Sequence, residues 1–341
     1  MLTVRHLSAK NVQSIQPLYQ DFLANARDRY HWDMAPVAWD VFVPVVGQKV
    51  LRGYILEDNA TQKPVGFMLY RLEDHRAVEI NLIYLQEGVP EKTALDRLLR
   101  KFIPDMRELP QWDVISYAML GVQEHLVRTI TWYGFKPYGQ SIEKFDFLDP
   151  LCVQLLKQQD PGVLPEGYQL DCWQAKYAAA TGRNIYLTFS NAADALWDPR
   201  FRTEEGGHTV VNLITSGEMG VHHALCSSIL LFHGEPVGFC FLVQADDIQG
   251  NIPVIAVHPE HKGKGLSHHL LYRTLMKCIE ETIAERIGMT HITATVDTDN
   301  WPALKMYRRM GFQETYNYPH VYMDRAAVEA IDLGKWCQVT S

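Results

Sequence analysis

The chain has 341 residues, more than one hydrophobic core usually organises, so we expect two domains. Its formal net charge is −8 and no basic stripe is interleaved with aromatic residues, which argues against nucleic acid and favours a cationic or amine partner. No apolar run is long enough to cross a bilayer and the first residues do not form a signal peptide, so we expect a cytoplasmic protein without a membrane partner.

Metal and disulfide chemistry find little support in the sequence. The six cysteines are scattered without a Cys-x-x-Cys pair, which argues against a disulfide framework and a zinc knuckle. Two adjacent histidine pairs, at 222–223 and 268–269, would point their side chains in different directions on regular structure. We therefore predict reduced, mostly buried cysteines and no metal site.

Landmarks of the first half recur in the same order in the second half. The segments 63–69 and 133–135 parallel 235–241 and 310–312, at offsets of 172 and 177 residues. Such repetition indicates two copies of one domain.

Two clusters of proline and glycine, at 160–162 and 165–167, punctuate the chain between the two copies. These clusters mark the join between the predicted domains. The predicted divisions are a first domain at 1–149, a linker at 150–165, a second domain at 166–325 and a C-terminal tail at 326–341.

The stretch from Trp197 to Gly220 has a different character from its surroundings. Gly206, Gly207 and Gly217 predict a loop there. Its aromatic and acidic side chains are candidates for substrate contact, and a surface loop anchored by one buried aromatic residue is the alternative. A strand is predicted to follow at 228–232.

A glycine-rich turn joins a predicted strand to a predicted helix in the second half. The β-branched run 252–257 is typical of a buried strand, and apolar residues recur at helical spacing from Leu266 until Gly288. The first N–H groups of such a helix have no backbone acceptor and the helix dipole adds positive charge, so the turn is suited to bind a pyrophosphate. The residues of this turn are Lys262, Gly263, Lys264, Gly265, Leu266 and Ser267.

Taken alone, the turn is equally typical of an ordinary glycine turn with solvated lysines. The Walker phosphate loop is excluded, because Gly263-Lys264 is followed by Gly265 rather than by Ser or Thr. The dinucleotide-binding fingerprint is also excluded, because His268 occupies the position of its third glycine.

A second motif follows the predicted helix. The alternation in 291–297 predicts a strand, and Asp299 or Asn300 can cap a helix that Gly311 ends. Tyr307 lies on the third turn of this helix. A core aromatic residue with a hydrogen-bonded hydroxyl is the alternative to a catalytic role for Tyr307.

Together the two motifs resemble the signature of the GNAT superfamily of acyltransferases. The family loop has Arg or Gln, two residues, Gly, one residue, then Gly or Ala, and this sequence has Lys262, Gly265 and Ser267 at those positions. The later segment matches every fixed position of the family pattern, with Asn300, Ala303, Tyr307, Gly311 and Phe312. The resemblance implies an α/β (α+β) fold of two tandem domains, each a mixed, mostly antiparallel sheet flanked by helices.

The resemblance also implies roles for the site residues. Acetyl-coenzyme A (acetyl-CoA) would be the acyl donor, with its pantetheine arm on Ile255, Ala256 and Val257 and its pyrophosphate on the glycine-rich turn. Asn300 would hydrogen-bond the arm, and Tyr307 would donate a proton to the departing thiolate. The acceptor would be an amine of a small molecule or peptide.

The sequence leaves the general base open. Members of the family often place Glu or His on the fourth strand, six residues before the position of Val257, where this chain has Asn251. An amide cannot accept a proton at neutral pH, so Asn251 could only position a water molecule. Asp246 and Asp247 are alternatives, although a solvated hairpin turn is the simpler interpretation of both.

The first copy lacks the residues of this chemistry. Its turn, 90–95, contains no glycine, Gln123 stands at the position of Asn300, and Ile130 stands at the position of Tyr307. We predict a GNAT-like domain that is degenerate at its cofactor site.

The sequence thus predicts an N-acyltransferase that moves an acyl group directly from acetyl-CoA to an amine, without a metal, as a monomer or homodimer. A non-catalytic module that senses acyl-CoA is the alternative. A nucleotide-dependent phosphotransferase is a third candidate, disfavoured because no Ser or Thr that could hold Mg²⁺ follows the loop.

Overall fold

The computed structural model describes residues 1–30 and 37–332. The chain forms two compact units. Unit 1 runs from Met1 to Tyr138 and resumes at Tyr318, and unit 2 comprises Gly139–Asn317. Each unit combines mostly antiparallel strands with flanking helices, which confirms the predicted fold class.

Unit 1 is built on one sheet. Its strands are β1 (Leu2–His6), β2 (Leu51–Asp58), β3 (Lys63–Leu72), β4 (Ala77–Leu85), β5 (Val114–Ala118) and the later part of β15 (Gln313–Asp324). Its helices are α1 (Gln16–Tyr30), α2 (Trp39–Gly47), α3 (Glu91–Glu108), α4 (Val127–Trp132) and α11 (Arg325–Ala330), with 3-10 turns at Val12–Ile15 and Gly121–Leu126. The strand order is β1-β2-β3-β4-β5-β15, antiparallel except for the parallel pair β4/β5.

Both faces of the unit 1 sheet are covered. Alternation along β2 places Tyr54 and Leu56 in one hydrophobic layer with α3, and Ile55 in another with α1 and α2. Burial on both faces explains why the central strands are nearly continuous apolar runs.

Unit 2 contains more and shorter strands. They are β6 (Lys136–Asp146, from Gly139 on), β7 (Tyr168–Cys172), β8 (Val221–His222), β9 (Ser228–Phe232), β10 (Glu235–Cys240), β11 (Val243–Gln244), β12 (Gln249–Asn251), β13 (Ile255–Val257) and β14 (His291–Asp297). Its helices are α5 (Pro150–Gln158), α6 (Ala178–Phe189), α7 (Asp194–Trp197), α8 (Glu204–Ser216), α9 (Leu266–Ile283) and α10 (Trp301–Arg309), with 3-10 turns at Ala175–Tyr177, Pro199–Arg202 and Pro259–His261.

The strands of unit 2 separate into two groups. One group has the order β6-β14-β12-β11-β8 with a parallel pair β12/β14, and the other is the antiparallel sheet β13-β10-β9-β7. The chain passes from one to the other between Asn251 and Ile255, at Pro253. Proline has no N–H to continue a ladder, so the predicted strand 252–257 is wrong in its first half. This separation leaves β13 at a sheet edge.

The two units share a local irregularity that supports the internal repeat. Val65 is an extra residue in the β2/β3 ladder, and Val237, 172 positions later, is an extra residue in the β9/β10 ladder. Gly134 and Gly311, 177 positions apart, have φ values of 96° and 98°. The same bulge and the same left-handed glycine therefore recur at the offsets read from the sequence.

The boundaries of the two units differ from the predicted domain boundaries. The structure divides it after Tyr138 and after Asn317. Strand pairing explains the difference, because β6 pairs with β14 of unit 2 and the end of β15 pairs with β5 of unit 1. The last strand of each sequence repeat thus belongs to the other unit, a long-range pairing that local patterns do not encode.

Two segments predicted as linker and tail contain helices. In the predicted linker 150–165, α5 is capped by Asp149, whose Oδ1 accepts a hydrogen bond from Leu151 N at 2.9 Å. In the predicted tail 326–341, α11 buries Val328 in the core of unit 1. The tail residues from 333 on lie outside the described residues.

The predicted loop 197–220 is mostly helical, so that prediction is wrong. Thr203 caps α8, its Oγ1 accepting a hydrogen bond from Gly206 N at 3.0 Å, and Gly217 ends the helix with φ 89°. A Cβ on Gly207 would lie 2.2 Å from the carbonyl oxygen of Gly182 in α6. The glycine at 207 thus permits close helix packing instead of marking a loop.

Among residues 1–30 and 37–332, no helix is long and apolar enough to span a bilayer. In the same part of the chain, no three His, Cys, Asp or Glu side chains are grouped so that they could hold a metal ion. The described cysteines are free thiols, and all of them except Cys172 are buried. Cys337 lies outside the described residues.

Candidate functional site

Strand β13 has one free edge. Among the strands of residues 1–30 and 37–332 it pairs with β10 alone, with Ala256 opposite Phe239. Just beyond the two ends of this pairing, His258 N donates a hydrogen bond to Val237 O at 2.7 Å and Phe241 N donates one to Val254 O at 3.1 Å. Because every second residue of an antiparallel strand bonds the same neighbour, Ala256 directs its N–H and C=O toward β10. The N–H and C=O groups of Ile255 and Val257 therefore face away from β10, where an extended ligand can pair with them.

The predicted turn between β13 and α9 is confirmed. Gly263 and Gly265 have φ values of 80° and 73°, and no atom lies within 4 Å of a Cβ built on either residue. Gly265 is the N-cap of α9 and supplies no side-chain hydrogen bond, so the first N–H groups of the helix, including those of Leu266 and Ser267, are open to a ligand. The turn thus has the geometry of a backbone anion site.

The two lysines of the turn have different environments. Lys264 Nζ donates a hydrogen bond to the hydroxyl of Tyr168 at 3.0 Å. The same hydroxyl bonds His261 Nδ1 at 2.7 Å, which ties the turn to β7. Lys262 instead lines a cavity. Lys264 therefore anchors the turn, and Lys262 supplies charge to the cavity.

A cavity of about 380 Å³ is bounded by β13, the turn and the start of α10, and its volume is within the usual range for ligand pockets. The predicted site residues that line it are Ile255, Val257, Lys262, Gly263, Gly265, Leu266, Ser267 and Asn300. Four lining residues lacked a predicted role, although they neighbour predicted ones in sequence: His261, Pro302, Ala303 and Met306. Four predicted residues are outside the lining: Asn251, Ala256, Lys264 and Tyr307.

Asn300 begins α10, as the sequence predicts. Its Oδ1 accepts a hydrogen bond from Ala303 N at 3.3 Å. This cap uses the amide oxygen, so the amide N–H groups can still bind a ligand. The far end of the helix is fixed by Arg308, which donates to the buried carboxylate of Glu143 on β6 at 2.8 Å. Both ends of α10 are therefore held in place.

Tyr307 lies on the buried side of α10. It is 3 % exposed, and its ring meets that of Phe312 edge-on with centroids 4.9 Å apart. Burial raises the pKa of the Tyr307 phenol, and Cys240 and Glu143 add to the rise, so the hydroxyl keeps its proton at neutral pH. Cys240 is the residue opposite Ile255 in the β10/β13 pair, so the phenol lies near the free edge.

One face of the β12/β14/β6 group is polar. The register places Asn251 opposite Thr293 and Asp297 opposite Gln140, and the side chains of these four residues share a face with Thr295. Gln140 Nε2 donates to Asp297 Oδ1 at 2.7 Å. The side chain of Thr295 is exposed, so this face is accessible from outside the protein at that residue.

Asp246 has the turn role that the sequence analysis gave as the simpler interpretation. Its Oδ1 accepts hydrogen bonds from the backbone N–H groups of Ile248 and Gln249, at 2.9 and 2.7 Å. Neither Asp246 nor Asp247 lines the cavity.

Asp194, at the start of α7, is a carboxylic acid that the sequence analysis missed. Burial raises the pKa of Asp194 to about 7, and the nearby carboxylates of Asp297 and Asp198 add to the rise. Asp198 is itself paired with Arg200 at 2.6 Å. A carboxyl group that titrates near neutrality is suited to exchange a proton. Only folding brings Asp194 within electrostatic range of Asp297.

In unit 1 the equivalent edge is occupied by side chains of the same unit. Ile83 stands in β4 where Ile255 stands in β13, 172 positions later and in the same register with the preceding strand. Its N–H donates to the hydroxyl of Tyr117 at 3.2 Å and to Oε1 of Gln123 at 3.4 Å. These three residues are buried.

The anion turn of unit 2 has no counterpart in unit 1. Helix α3 begins at Glu91, three residues before Ala94, the position equivalent to Leu266 at the start of α9. A helical turn preceded by Pro90 therefore occupies the positions of the glycine-rich turn. Glu91 also places a negative charge at the N-terminus of α3, which opposes anion binding.

Comparison with protein families identifies one part of the chain. Residues 192–312 match the model of the acetyltransferase (GNAT) family. The matched part contains β13, the glycine-rich turn, Asn300 and Tyr307.

One similar curated protein is L-methionine sulfoximine/L-methionine sulfone acetyltransferase from Salmonella typhimurium strain LT2. It is 30% identical over 86 residues, which are 25% of this chain and 42% of that protein. The match thus spans less than half the length of this relative. With the family match, it supports acyl transfer as the general chemistry.

Solved structures share the fold of this chain. A tandem GNAT protein from the clavulanic acid biosynthesis pathway is 13% identical, covers 95% of this chain and 98% of its own, and has a TM-score of 0.55. A GCN5-related N-acetyltransferase from Sphaerobacter thermophilus is also 13% identical, covers 95% of each chain, and has a TM-score of 0.60. At these identities the likeness concerns the fold.

Proposed function

We propose that unit 2, whose residues 192–312 match the model of the GNAT acetyltransferase family, is an N-acyltransferase that uses acyl-CoA, in particular acetyl-CoA. The observation that carries the proposal is the convergence of three features on one cavity. These are the free edge of β13, the open glycine turn at the start of α9 and the capped start of α10.

The shape of this cavity suits the donor. Gly263 and Gly265 leave open space where any other residue would place a Cβ, so a pyrophosphate can approach the backbone N–H groups of α9. Lys262 adds a positive charge, and the edge of Ile255 and Val257 can pair with an extended amide-containing arm. A bound acyl-CoA supplies the activated thioester.

The chain's own residues then assist the transfer. The amine nitrogen bonds to the thioester carbon as the carbon–sulfur bond breaks, and the amine loses a proton while the sulfur gains one. The outward N–H groups of β13 stabilise the negative charge that develops on the carbonyl oxygen. Tyr307, kept neutral by burial, donates the proton to the leaving sulfur.

The acceptor is proposed to be an amine of a small molecule or peptide. Asp297 on the polar face, with Asp194 within electrostatic range of it, offers negative charge to a cationic amine. Asn251 and Thr293 on that face add hydrogen-bonding groups. The Salmonella relative is named for L-methionine sulfoximine and L-methionine sulfone, so these amino-acid analogues are the first acceptors to test.

An acyl-CoA-sensing module without turnover is the second candidate. It is favoured by Asn251, an amide at the strand position where the family often has a base. Acetyl-CoA binding is common to both candidates, whereas thiol release in the presence of an amine distinguishes them.

Calorimetric titration with acetyl-CoA tests the proposal. We expect saturable binding at one site, lost by at least about 100-fold in Gly265→Glu, because the new side chain brings bulk and negative charge into the anion turn. Gly88→Glu is the matched control, since Gly88 in unit 1 also has a left-handed φ of 82° and nothing within 4 Å of a built Cβ. Both variants carry the same backbone strain, so equal loss in both, or no binding to the wild type, would overturn the proposal.

A further inference from the structure

A second cavity lies in unit 1, where the proposed function assigns nothing. It has a volume of about 770 Å³ and is bounded by the segment after β1, the end of α2, the start of β2 and the C-terminal half of α3. This volume is in the range of small-molecule sites. The charged residues of its lining are His6, Lys10, Lys49, Arg52, Lys101, Asp105 and Glu108.

The charge of this lining opposes the charge of the whole chain. Four lysine or arginine side chains face two carboxylates in the cavity, whereas the chain has a formal net charge of −8. Within residues 1–30 and 37–332, the side chains of Arg52, Lys10 and Lys49 form no ion pair with a carboxylate. Cations gathered in a concave surface without counterions repel one another, and a bound anion removes that repulsion.

Arg52 is placed to hold such an anion. It is half-buried, and the β2/β3 register puts it directly opposite Tyr70 on the same sheet face. Burial raises the pKa of Tyr70, and the charges of Arg52 and Lys101 oppose that rise, so both cations act on the Tyr70 hydroxyl. The guanidinium is a planar fork that binds carboxylate or phosphate through two hydrogen bonds.

Asp105, one of the two carboxylates in the lining, is already engaged by hydrogen bonds. Asp105 accepts hydrogen bonds from Tyr54 Oη at 2.7 Å and from Lys101 Nζ at 2.8 Å, and His6 Nε2 lies 3.5 Å from it. This network fixes Lys101 and His6 along one side of the cavity, with the buried Tyr54 behind them. It leaves Arg52, Lys10 and Lys49, together with the carboxylate of Glu108, as the charges available to a ligand.

We propose that the unit 1 cavity binds a small metabolite with at least two phosphate or carboxylate groups, held by Arg52 together with Lys10 and Lys49. Three cations outside any ion pair face the single carboxylate of Glu108, an excess of two positive charges that two anionic groups match, and the concave shape selects a small molecule. Leu7, Val46 and Leu51 in the same lining accommodate an apolar part of the ligand. The inference does not rest on the proposed function of unit 2.

Titration of the Gly265→Glu protein tests this inference, because that background removes anion binding at the turn of unit 2. The probes are pyrophosphate for phosphate ligands and citrate for carboxylate ligands, measured by calorimetry at low and high salt. We expect saturable binding of at least one probe, weakened by salt and reduced at least tenfold in Arg52→Gln. Binding of pyrophosphate alone assigns a phosphate ligand, and binding of citrate alone assigns a carboxylate ligand.

Arg128→Gln is the matched control. Arg128 is an exposed arginine of unit 1 outside the cavity lining, and among the described residues it has no ion pair. We expect the affinity of the probe to change less than twofold in Arg128→Gln. If circular dichroism shows that Arg52→Gln does not fold, Lys49→Gln serves as a second cavity variant. Failure of both probes to bind, or equal binding to Arg52→Gln and Arg128→Gln, would overturn the inference. Because acetyl-CoA binding to the wild type is measured separately, failure of one proposal leaves the other intact.

Discussion

Ile83 in unit 1 and Ile255 in unit 2 occupy the same register position, yet Ile255 lines a cavity whereas side chains of unit 1 contact the backbone of Ile83. The N–H of Ile83 is bound by Tyr117 and Gln123, whereas that of Ile255 faces the space beside the glycine turn. Gln123, which stands at the position of Asn300, is therefore one of the side chains that close the strand edge in unit 1. The comparison teaches that a repeat can keep its fold while its binding edge is satisfied from within.

At the position where the family often has its general base, unit 1 has a carboxylate and unit 2 has an amide. Glu79, opposite Ser116 in unit 1, stands where unit 2 has Asn251 opposite Thr293. Glu79 is 3.5 Å from Arg71 and takes part in an ion pair. Unit 1 thus keeps a carboxylate but lacks the turn and the tyrosine, whereas the acylation proposed for unit 2 requires a proton acceptor other than Asn251.

The largest effect is expected from Tyr307→Phe. This change removes the proton donor and keeps the buried ring, so kcat for amine acylation should fall by about 100-fold or more, while the Kd of acetyl-CoA changes less than twofold. Thiol release and calorimetry measure the two quantities. In unit 1, Tyr133→Phe removes another buried hydroxyl, which bonds Asp96 at 2.5 Å, and is the control for general loss of packing.

An unchanged kcat in Tyr307→Phe would show that the leaving group takes its proton from another source. A wild type that binds acetyl-CoA but releases no thiol with any amine would favour the sensing module.

The next effect concerns Asp194, whose pKa is raised in part by Asp297. Unit 1 has the apolar Leu120 at the position of Asp297. The pKa of Asp194 is about 7 in the folded protein, above its ordinary value of 3.8. The folded state therefore binds the proton more tightly, and the free energy of unfolding should fall as the pH rises from about 4 to about 7. Asp194→Asn should abolish this loss and stabilise the protein by up to about 4 kcal/mol at pH 7.5.

Urea unfolding at pH 5 and pH 7.5 measures the change. Asp198→Asn is the contrast, because Asp198 is paired with Arg200 and its Oδ1 accepts from the backbone N–H of that residue, so its loss should destabilise the protein. If the Asp194→Asn and wild-type curves stay parallel across this pH range, Asp194 does not titrate there.

A smaller effect is expected from opening the edge of unit 1. The double change Gln123→Ala with Tyr117→Phe leaves the buried N–H of Ile83 without its two side-chain acceptors, which should lower the free energy of unfolding by about 1–3 kcal/mol. Because helix α3 still replaces the anion turn, the number of acetyl-CoA molecules bound per chain should remain one. A second bound acetyl-CoA would show that the side chains alone close this edge.

Much of the site could be predicted from local patterns. The strand at 291–297, the glycine turn, the cap by Asn300 and the helix after it depend on spacing within a few residues, and the structure confirms them. The helix at 204–216 contradicts the predicted loop because Gly207 permits close contact with α6 and Gly206 lies against the backbone of Arg200, neither of which a local pattern shows.

The remaining features depend on distant partners as well. The break at Pro253 was overlooked, although the sequence carried the signal, because the apolar run continues through it. The exchange of last strands between the repeats, and the approach of Asp194 to Asp297, follow from pairings across more than 100 residues. No local pattern encodes such pairings.

The smallest effect separates the two lysines of the turn. Lys262→Gln should weaken acetyl-CoA binding about three- to tenfold at low salt, because this side chain lines the cavity, and the difference from the wild type should shrink at high salt. Lys264→Gln is the matched control, since its ammonium group is held by Tyr168, and a change there should act on the stability of the turn with little salt dependence. Equal, salt-dependent losses in both variants would mean that the turn binds its anion by overall charge, and the distinction between an anchoring and a ligand-facing lysine would have to be abandoned.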